Sequence, residues 1–260
     1  MPHDRRTVAL AACLALVVGP FCAGSPSDAT SPPPTSNPAA LGPGARVLFI
    51  GNSLTAANDL PERVRALATA EGLGWEVQAE LVGGAGLEDH WQRGSAQTLI
   101  QSGPWDAVVL QQGPSSLPES RANLRQWAAR FDRLVRAAGG RSALYMVWPE
   151  QSRISVFDRV RDSYALAARD VSGWFLPAGE SWRAAWRGDP SLALYGGDGF
   201  HSSAAGSYAA ALTIFAGLSG HSPLGLPAPT TVGPATAERL HRAAQEALEQ
   251  YRDYGPVDAP

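Results

Sequence analysis

The chain of 260 residues contains no lysine, so all 21 of its basic side chains are arginine. A phosphate-gripping P-loop needs a lysine at the end of its glycine run, and that class of nucleotide binder is thereby excluded. Excess positive charge is missing too: the 21 basic residues face 24 acidic ones for a net charge of −3. Nucleic-acid binding, which rests on clustered cations, is therefore not expected. Only two cysteines occur, Cys13 and Cys22, and both fall in a segment that reads as removable, which leaves a mature chain without disulfides. Long apolar runs are also lacking. The stretch from Val8 to Val18 falls short of the roughly 20 residues of a membrane span, and no later segment reaches that length.

What is present begins with a leader. Arg5 and Arg6, the apolar run and the small residues near Ala23 and Gly24 have the layout of a secretory signal, with a twin-arginine signal as the variant reading. A lipoprotein anchor fits less well, because Phe21 precedes Cys22 and Cys13 sits too early. The expected organisation is a signal peptide over 1–24, a linker rich in Pro and Ser over 25–44, and one domain over 45–254. Secretion to the periplasm, cell surface or medium follows as an expectation, with no stable membrane insertion after signal removal.

From residue 45 onward the pattern alternates. Apolar or β-branched runs at Arg46–Ile50, Glu76–Val82, Ala107–Gln111, Ala143–Trp148 and Gly173–Pro177 read as strands. Helical periodicity lies between and after them at Leu60–Glu71, Glu119–Ala138, Val156–Asp170, Ser203–Leu218 and Pro234–Arg252, with Asp59 expected to cap the first. Strands apolar through most of their length and separated by helices predict a parallel sheet of about five strands in a three-layer α/β/α sandwich. Sites in such sheets lie at the carboxyl ends of the strands.

Two motifs sit where that rule directs attention. The first strand breaks into Gly51-Asn52-Ser53-Leu54-Thr55, which puts a serine at the strand's carboxyl end with backbone amides beside it, a place for a nucleophile and its oxyanion. Near the C-terminus, Asp198-Gly199-Phe200-His201 sets a carboxylate three residues from an imidazole ahead of a helix. The carboxylate can fix the tautomer while the other ring nitrogen serves as base. Taken singly, turn chemistry is the commoner explanation for Ser53, and a cap beside a surface His201 the commoner one for Asp198.

Together, GNSLT after strand one, a glycine-rich turn after strand two and DGFH before a late helix resemble the SGNH (GDSL-like) hydrolase family, over Val47 to about Leu218. The resemblance implies a flavodoxin-like sheet and serine esterase or lipase chemistry. It makes Ser53 the nucleophile, Asp198 and His201 its acid–base partners, and the Ser53 amide part of the oxyanion hole. Within Leu81-Val82-Gly83-Gly84-Ala85-Gly86-Leu87 it implies a glycine donor, Gly84 first and Gly83 next. The third block departs from the family: Gln111-Gln112-Gly113-Pro114-Ser115 has no asparagine. Gln111 is the expected donor, with Gln112 as competitor and Ser115 at the position reached by alignment on Gly113. Asn52 replaces the family's aspartate and Ser202 a frequent proline.

The reaction so implied needs no cofactor and no metal. His90, beside Glu88 and Asp89, lacks a second histidine at ligand spacing. His221 reads as a surface residue, and Arg153, Arg159 and Arg161 as a solvated helix face. Most of the eight tryptophans read as core, although Trp148 follows the fourth strand and is placed to line a pocket. The partners expected are a small-molecule or carbohydrate ester for a monomeric enzyme. Acetylated carbohydrate and short-chain lipid ester are not separated by these residues. The competing class is a non-catalytic carbohydrate-binding module on a decayed hydrolase scaffold.

Overall fold

Strand β1 (Arg46–Gly51) buries Val47, Leu48, Phe49 and Ile50 at 1% exposure or less. Each such side chain contributes about 1.5–3 kcal/mol by leaving water. The computed structural model describes residues 37–254; the expected signal segment and the linker up to residue 36 lie outside them. With β2 (Glu76–Leu81), β3 (Ala107–Leu110), β4 (Arg141–Tyr145) and β5 (Trp174–Leu176), β1 forms one parallel sheet in the order β2-β1-β3-β4-β5. Ile50 stands opposite Leu110 and Gly51 opposite Leu81. This is the flavodoxin-like strand order, and the chain leaves β1 toward opposite edges at this point. The crevice lies above the carboxyl ends of β1 and β3.

Continuous apolar runs hold for β1, β3, β4 and β5 but not for β2, where Glu76, Gln78 and Ala79 are exposed. An edge strand that carries charge resists pairing with another chain. At the opposite edge, Asn37 Oδ1 accepts the Phe175 N–H at 2.7 Å and the Tyr254 hydroxyl donates to the Gly173 carbonyl. The end of the stretch read as linker is thus laid on the domain. The Leu41 N–H also donates to the Leu218 carbonyl at 2.8 Å, and the Trp75 indole to the Gly42 carbonyl at 3.0 Å.

Helices α1 (Ser53–Ala56) and α2 (Leu60–Ala70) follow β1. Along one side α2, α7 (Ala178–Gly188), α8 (Ala204–Ser219) and α9 (Pro234–Gln250) pack on one another; along the other run α3 (Leu87–Arg93), α4 (Ser95–Gln101), α5 (Pro118–Ala137) and α6 (Phe157–Asp170). Helix α8 is apolar nearly all round because α2, α7, α9 and β5 surround it. Helices α1, α3, α4 and α7 were not expected from periodicity: α1, α3 and α4 span seven residues or fewer, α3 and α4 meet at Gly94, whose φ is +84°, and α7, of 11 residues, begins at the residue after the expected fifth strand. Asp59 does not cap α2; it takes φ +54° and its side chain makes no capping bond.

Candidate active site

The chain leaves β1 at Gly51 with no room for a side chain: a Cβ there would lie 2.5 Å from Gln111 Oε1 and 2.6 Å from Thr55 Oγ1. Asn52 then takes extended backbone, and its Oδ1 accepts the Leu54 N–H at 3.0 Å, which starts α1 with Ser53 as its first residue. Asn52 Nδ2 donates to the Ala85 carbonyl at 2.9 Å. The turn that carries Ser53 is thereby tied to the glycine-rich loop after β2.

His201, 148 residues further along the chain, accepts from Ser53 Oγ on Nε2 at 2.9 Å. Its Nδ1–H donates to Asp198 Oδ2 at 2.6 Å. The other carboxylate oxygen, Oδ1, accepts the Phe200 and His201 backbone N–H groups at 3.0 and 2.9 Å. The hydrogen bond from His201, followed by these two, holds the Asp198 carboxyl down at about 2. The sequence-predicted serine, aspartate and histidine therefore come together in hydrogen-bonding order, while Asp198 closes only a local turn and the cap of α8 is Ser203.

Four elements hold the loop carrying Asp198 and His201. The Trp148 indole donates to the Phe200 carbonyl at 2.9 Å, the Tyr195 hydroxyl to the Pro149 carbonyl at 2.6 Å, and the Gln151 N–H to the Gly199 carbonyl at 2.9 Å. From the other side, Asn58 Nδ2 donates to the Ser202 carbonyl and to Ser207 Oγ, both at 2.9 Å. Asn58 adopts φ +54° to do so, a conformation that asparagine tolerates better than most residues. Trp148 is fully buried and stacked on Trp182 at 3.7 Å, so it supports the loop from beneath and does not line the cleft as expected.

The two glutamines divide. Gln111, 1% exposed, accepts on Oε1 from the Asn52 N–H at 2.9 Å and Thr55 Oγ at 2.7 Å. Its Nε2 donates to Asn52 Oδ1 at 3.0 Å and to the Gln112 carbonyl at 2.6 Å. Both amide hydrogens are spent. Gln111 is a strut beneath the turn that carries Ser53 and has both amide hydrogens engaged there, which favours Gln112, the competitor named from sequence, for the donor position. Gln112 lines the cleft with Ser53 and Gly84. Its Oε1 accepts the Leu87 N–H at 3.3 Å and its Nε2 donates to Ser115 Oγ at 2.9 Å, an arrangement that engages one of its two amide hydrogens. Gly84, and not Gly83, forms part of the cleft wall. Its φ of +72° occupies the third position of a β-turn closed by the Ala85 N–H on the Val82 carbonyl at 3.1 Å.

The cleft has a volume of about 410 Å³. Its wall away from Ser53 includes Glu88, Asp89, Asn123, Glu150 and Arg153, with Asn123 Nδ2 donating to Glu88 Oε2 at 2.8 Å and Arg153 to Ser116 Oγ at 3.2 Å. Three carboxylates against one guanidinium give the cleft a negative field. Two arginines thus depart from the solvated helix face expected of them. Arg153 lies in a 3-10 turn (Gln151–Val156) at the cleft, and Arg161 is buried between Asp158 and Asp162. His221 is at the surface, paired with Glu71 at 2.9 Å.

His90 lies fully buried beneath the site and donates Nε2–H to the Gly51 carbonyl at 2.8 Å. Burial pushes its pKa below the ordinary value, and Nδ1 has no partner. Among the described residues no group of three or more His, Cys, Asp and Glu side chains is arranged to hold a metal ion. No described helix is long and apolar enough to cross a membrane.

Neither a protein-family model nor a curated protein matches the chain. Solved structures do. A protein from Slackia heliotrinireducens assigned to the SGNH hydrolases superposes with a TM-score of 0.57 at 29% identity, over 66% of this chain and 97% of its own. A DUF4886 family protein from Bacteroides uniformis gives 0.68 at 19% identity, over 82% and 98%. An acetylxylan esterase from Geobacillus stearothermophilus gives 0.54 at 20% identity, over 69% and 96%. The fold is that of SGNH and GDSL-like hydrolases and esterases.

Proposed function

We propose that this chain is an exported serine esterase of the SGNH type, acting on a polar ester such as an acetylated carbohydrate. One observation carries the reading: Ser53 Oγ, His201 and Asp198 form a continuous hydrogen-bonded series, with 2.9 and 2.6 Å links, at the mouth of a cleft. His201 Nε2 takes the Ser53 proton as Oγ attacks the ester carbonyl, and Asp198 stabilises the imidazolium. The tetrahedral oxyanion is held by the backbone N–H groups of Ser53 and Gly84 and by the Gln112 amide. His201 then protonates the leaving alcohol. Water, deprotonated in turn by His201, releases the acid from Ser53.

The wall of the cleft supports the substrate class. Asn123, Glu88 and Arg153 offer hydrogen-bond partners to hydroxyl groups. Its net negative charge repels anionic esters and favours departure of the carboxylate product. An acetylxylan esterase among the similar folds agrees with a carbohydrate ester.

Fluorophosphonate labelling followed by peptide mass spectrometry tests the nucleophile. Modification of Ser53 in the folded protein, prevented by prior turnover-blocking substitution of His201, is the expected result. An unmodified Ser53 peptide from protein that is folded overturns the reading.

A further inference from the structure

A second depression of about 470 Å³ adjoins the first, lined by Gln151, Ile154, Trp186, Leu192 and Tyr195. The two share a wall. Glu150 and Arg153 face the Ser53 cleft while Gln151 and Ile154 face the second, and the loop bearing the acid–base pair gives Phe200 to one and Gly196 to the other. Beyond it, Ile154 and Trp186 also border a third depression of about 550 Å³ that includes Phe157 and Arg183. The second depression is the aromatic one. Trp186 stacks on Tyr195 with centroids 5.7 Å apart, and Ile154 stands 49% exposed beside them, which makes it one of few large apolar side chains left in water.

We propose that this aromatic depression is a subsite for remote sugar units of a glycan chain whose ester group lies over Ser53; the proposal rests on the esterase reading above. Two features select a glycan over an acyl tail. The ridge that a ligand must cross, Glu150, Gln151 and Arg153, is exposed and polar, so an alkyl chain would lie across charged, hydrated groups while sugar hydroxyls find partners there. The half-buried indole and phenol rings behind it have their N–H and O–H engaged by the Leu192 and Pro149 carbonyls, which leaves flat aromatic surface suited to the apolar face of a sugar ring. Neighbouring arginines are neutralised internally, Arg183 by Asp158 and Glu180 and Arg187 by Glu246. On the ridge itself Arg153 stands among Glu88, Asp89 and Glu150 of the same cleft wall, so an acidic polymer would meet more negative than positive charge there.

The test compares kcat/KM for p-nitrophenyl acetate, acetylated glucose and partially acetylated cellotetraose in the full chain and in Ile154→Ser and Trp186→Ala. The tetrasaccharide is expected to be the better sugar substrate. Each variant should lose about tenfold on it, the equivalent of one modest stacking contact, with p-nitrophenyl acetate turnover unchanged. Ile154 is a surface residue, so its variant remains informative if Trp186→Ala fails to fold. No advantage for the tetrasaccharide, or an equal loss on all three esters, overturns the subsite while leaving the esterase reading intact. A loss confined to p-nitrophenyl octanoate, measured alongside these three, assigns the depression to an acyl tail and overturns it as well. Absence of p-nitrophenyl acetate hydrolysis by the unaltered chain removes the esterase reading itself.

Discussion

Gln111 holds Asn52 at two points: its Oε1 accepts the Asn52 backbone N–H at 2.9 Å and its Nε2 donates to Asn52 Oδ1 at 3.0 Å. The residue that caps α1, and so aims Ser53, is clamped from the end of the neighbouring strand. Substituting Gln111 by Ala leaves buried polar groups of Asn52 and Thr55 without partners, at about 1–3 kcal/mol each. The expected outcome is a lower melting temperature together with lost activity. Gln112→Ala is expected to cost on the order of 100-fold in kcat through loss of one oxyanion donor, with a smaller fall in melting temperature than Gln111→Ala, since it frees two partners, Leu87 N–H and Ser115 Oγ. Thermal unfolding and ester kinetics on both variants check this division. The reverse pattern would return the oxyanion role to Gln111.

Ser53→Ala is expected to abolish ester turnover with the circular dichroism spectrum intact. Asp198→Asn should reduce kcat by on the order of 10⁴, since an amide cannot fix the same His201 tautomer. Because the Asp198 carboxyl sits near 2 in the folded protein, its ionised form is present across the working range. The stability it lends exists above the ordinary carboxylate pKa and is lost only as pH falls through about 2. An acid limb of the rate profile that vanished in Asp198→Asn would contradict this ordering.

Trp148→Phe keeps the ring stacked on Trp182 but deletes the N–H that grips the Phe200 carbonyl. A small displacement of His201 follows, for which a loss of up to about 100-fold is reasonable. The expected signature is a fall in kcat with KM little changed. A variant with full kcat would show that Tyr195, Gln151 and Asn58 suffice to hold the loop.

His90 is buried neutral, so the unfolded chain binds a proton that the native one resists. Stability is full above about pH 6.5, the ordinary histidine value, and falls as pH drops below it. His90→Gln retains a donor for the Gly51 carbonyl while removing the titration. Melting temperatures measured from pH 7.5 to 5 should decline more steeply in the unaltered chain than in the variant. Parallel decline would assign the acid sensitivity elsewhere, with the buried His241, whose pKa burial also lowers, as the next candidate.

The five strands and the long helices were legible because their apolar periodicity is local, whereas the sheet order came only through the family resemblance. The meeting of Ser53, Asp198 and His201 was legible through motif spacing and strand-end placement. Gln111 was ranked ahead of Gln112 for a physical reason. Sequence shows which side chains can donate a hydrogen bond, but not which donors are already engaged, and the two adjacent glutamines differ only in that. Trp148, Tyr195 and Asn58 gave no local signal for their roles, since each acts through a backbone carbonyl distant in sequence. Arg161 looked solvated because its acidic partners Asp158 and Asp162 are themselves unremarkable helix residues. Helices α1, α3 and α4 escaped because seven residues or fewer hold too few turns for a period to declare itself.

Strand β5 receives both ends of the described chain: Asn37 on the Phe175 amide, and Tyr254 on the Gly173 carbonyl and against the Phe175 ring. Residues 37 and 254 are therefore neighbours in space, and a short flexible linker joining them would cross little distance. A circular permutant so joined, opened at the exposed turn around Leu224, keeps every contact of the Ser53 cleft within an uninterrupted stretch of chain. It would also leave β5 sheltered at an edge where the ordinary chain depends on two separate ends staying docked.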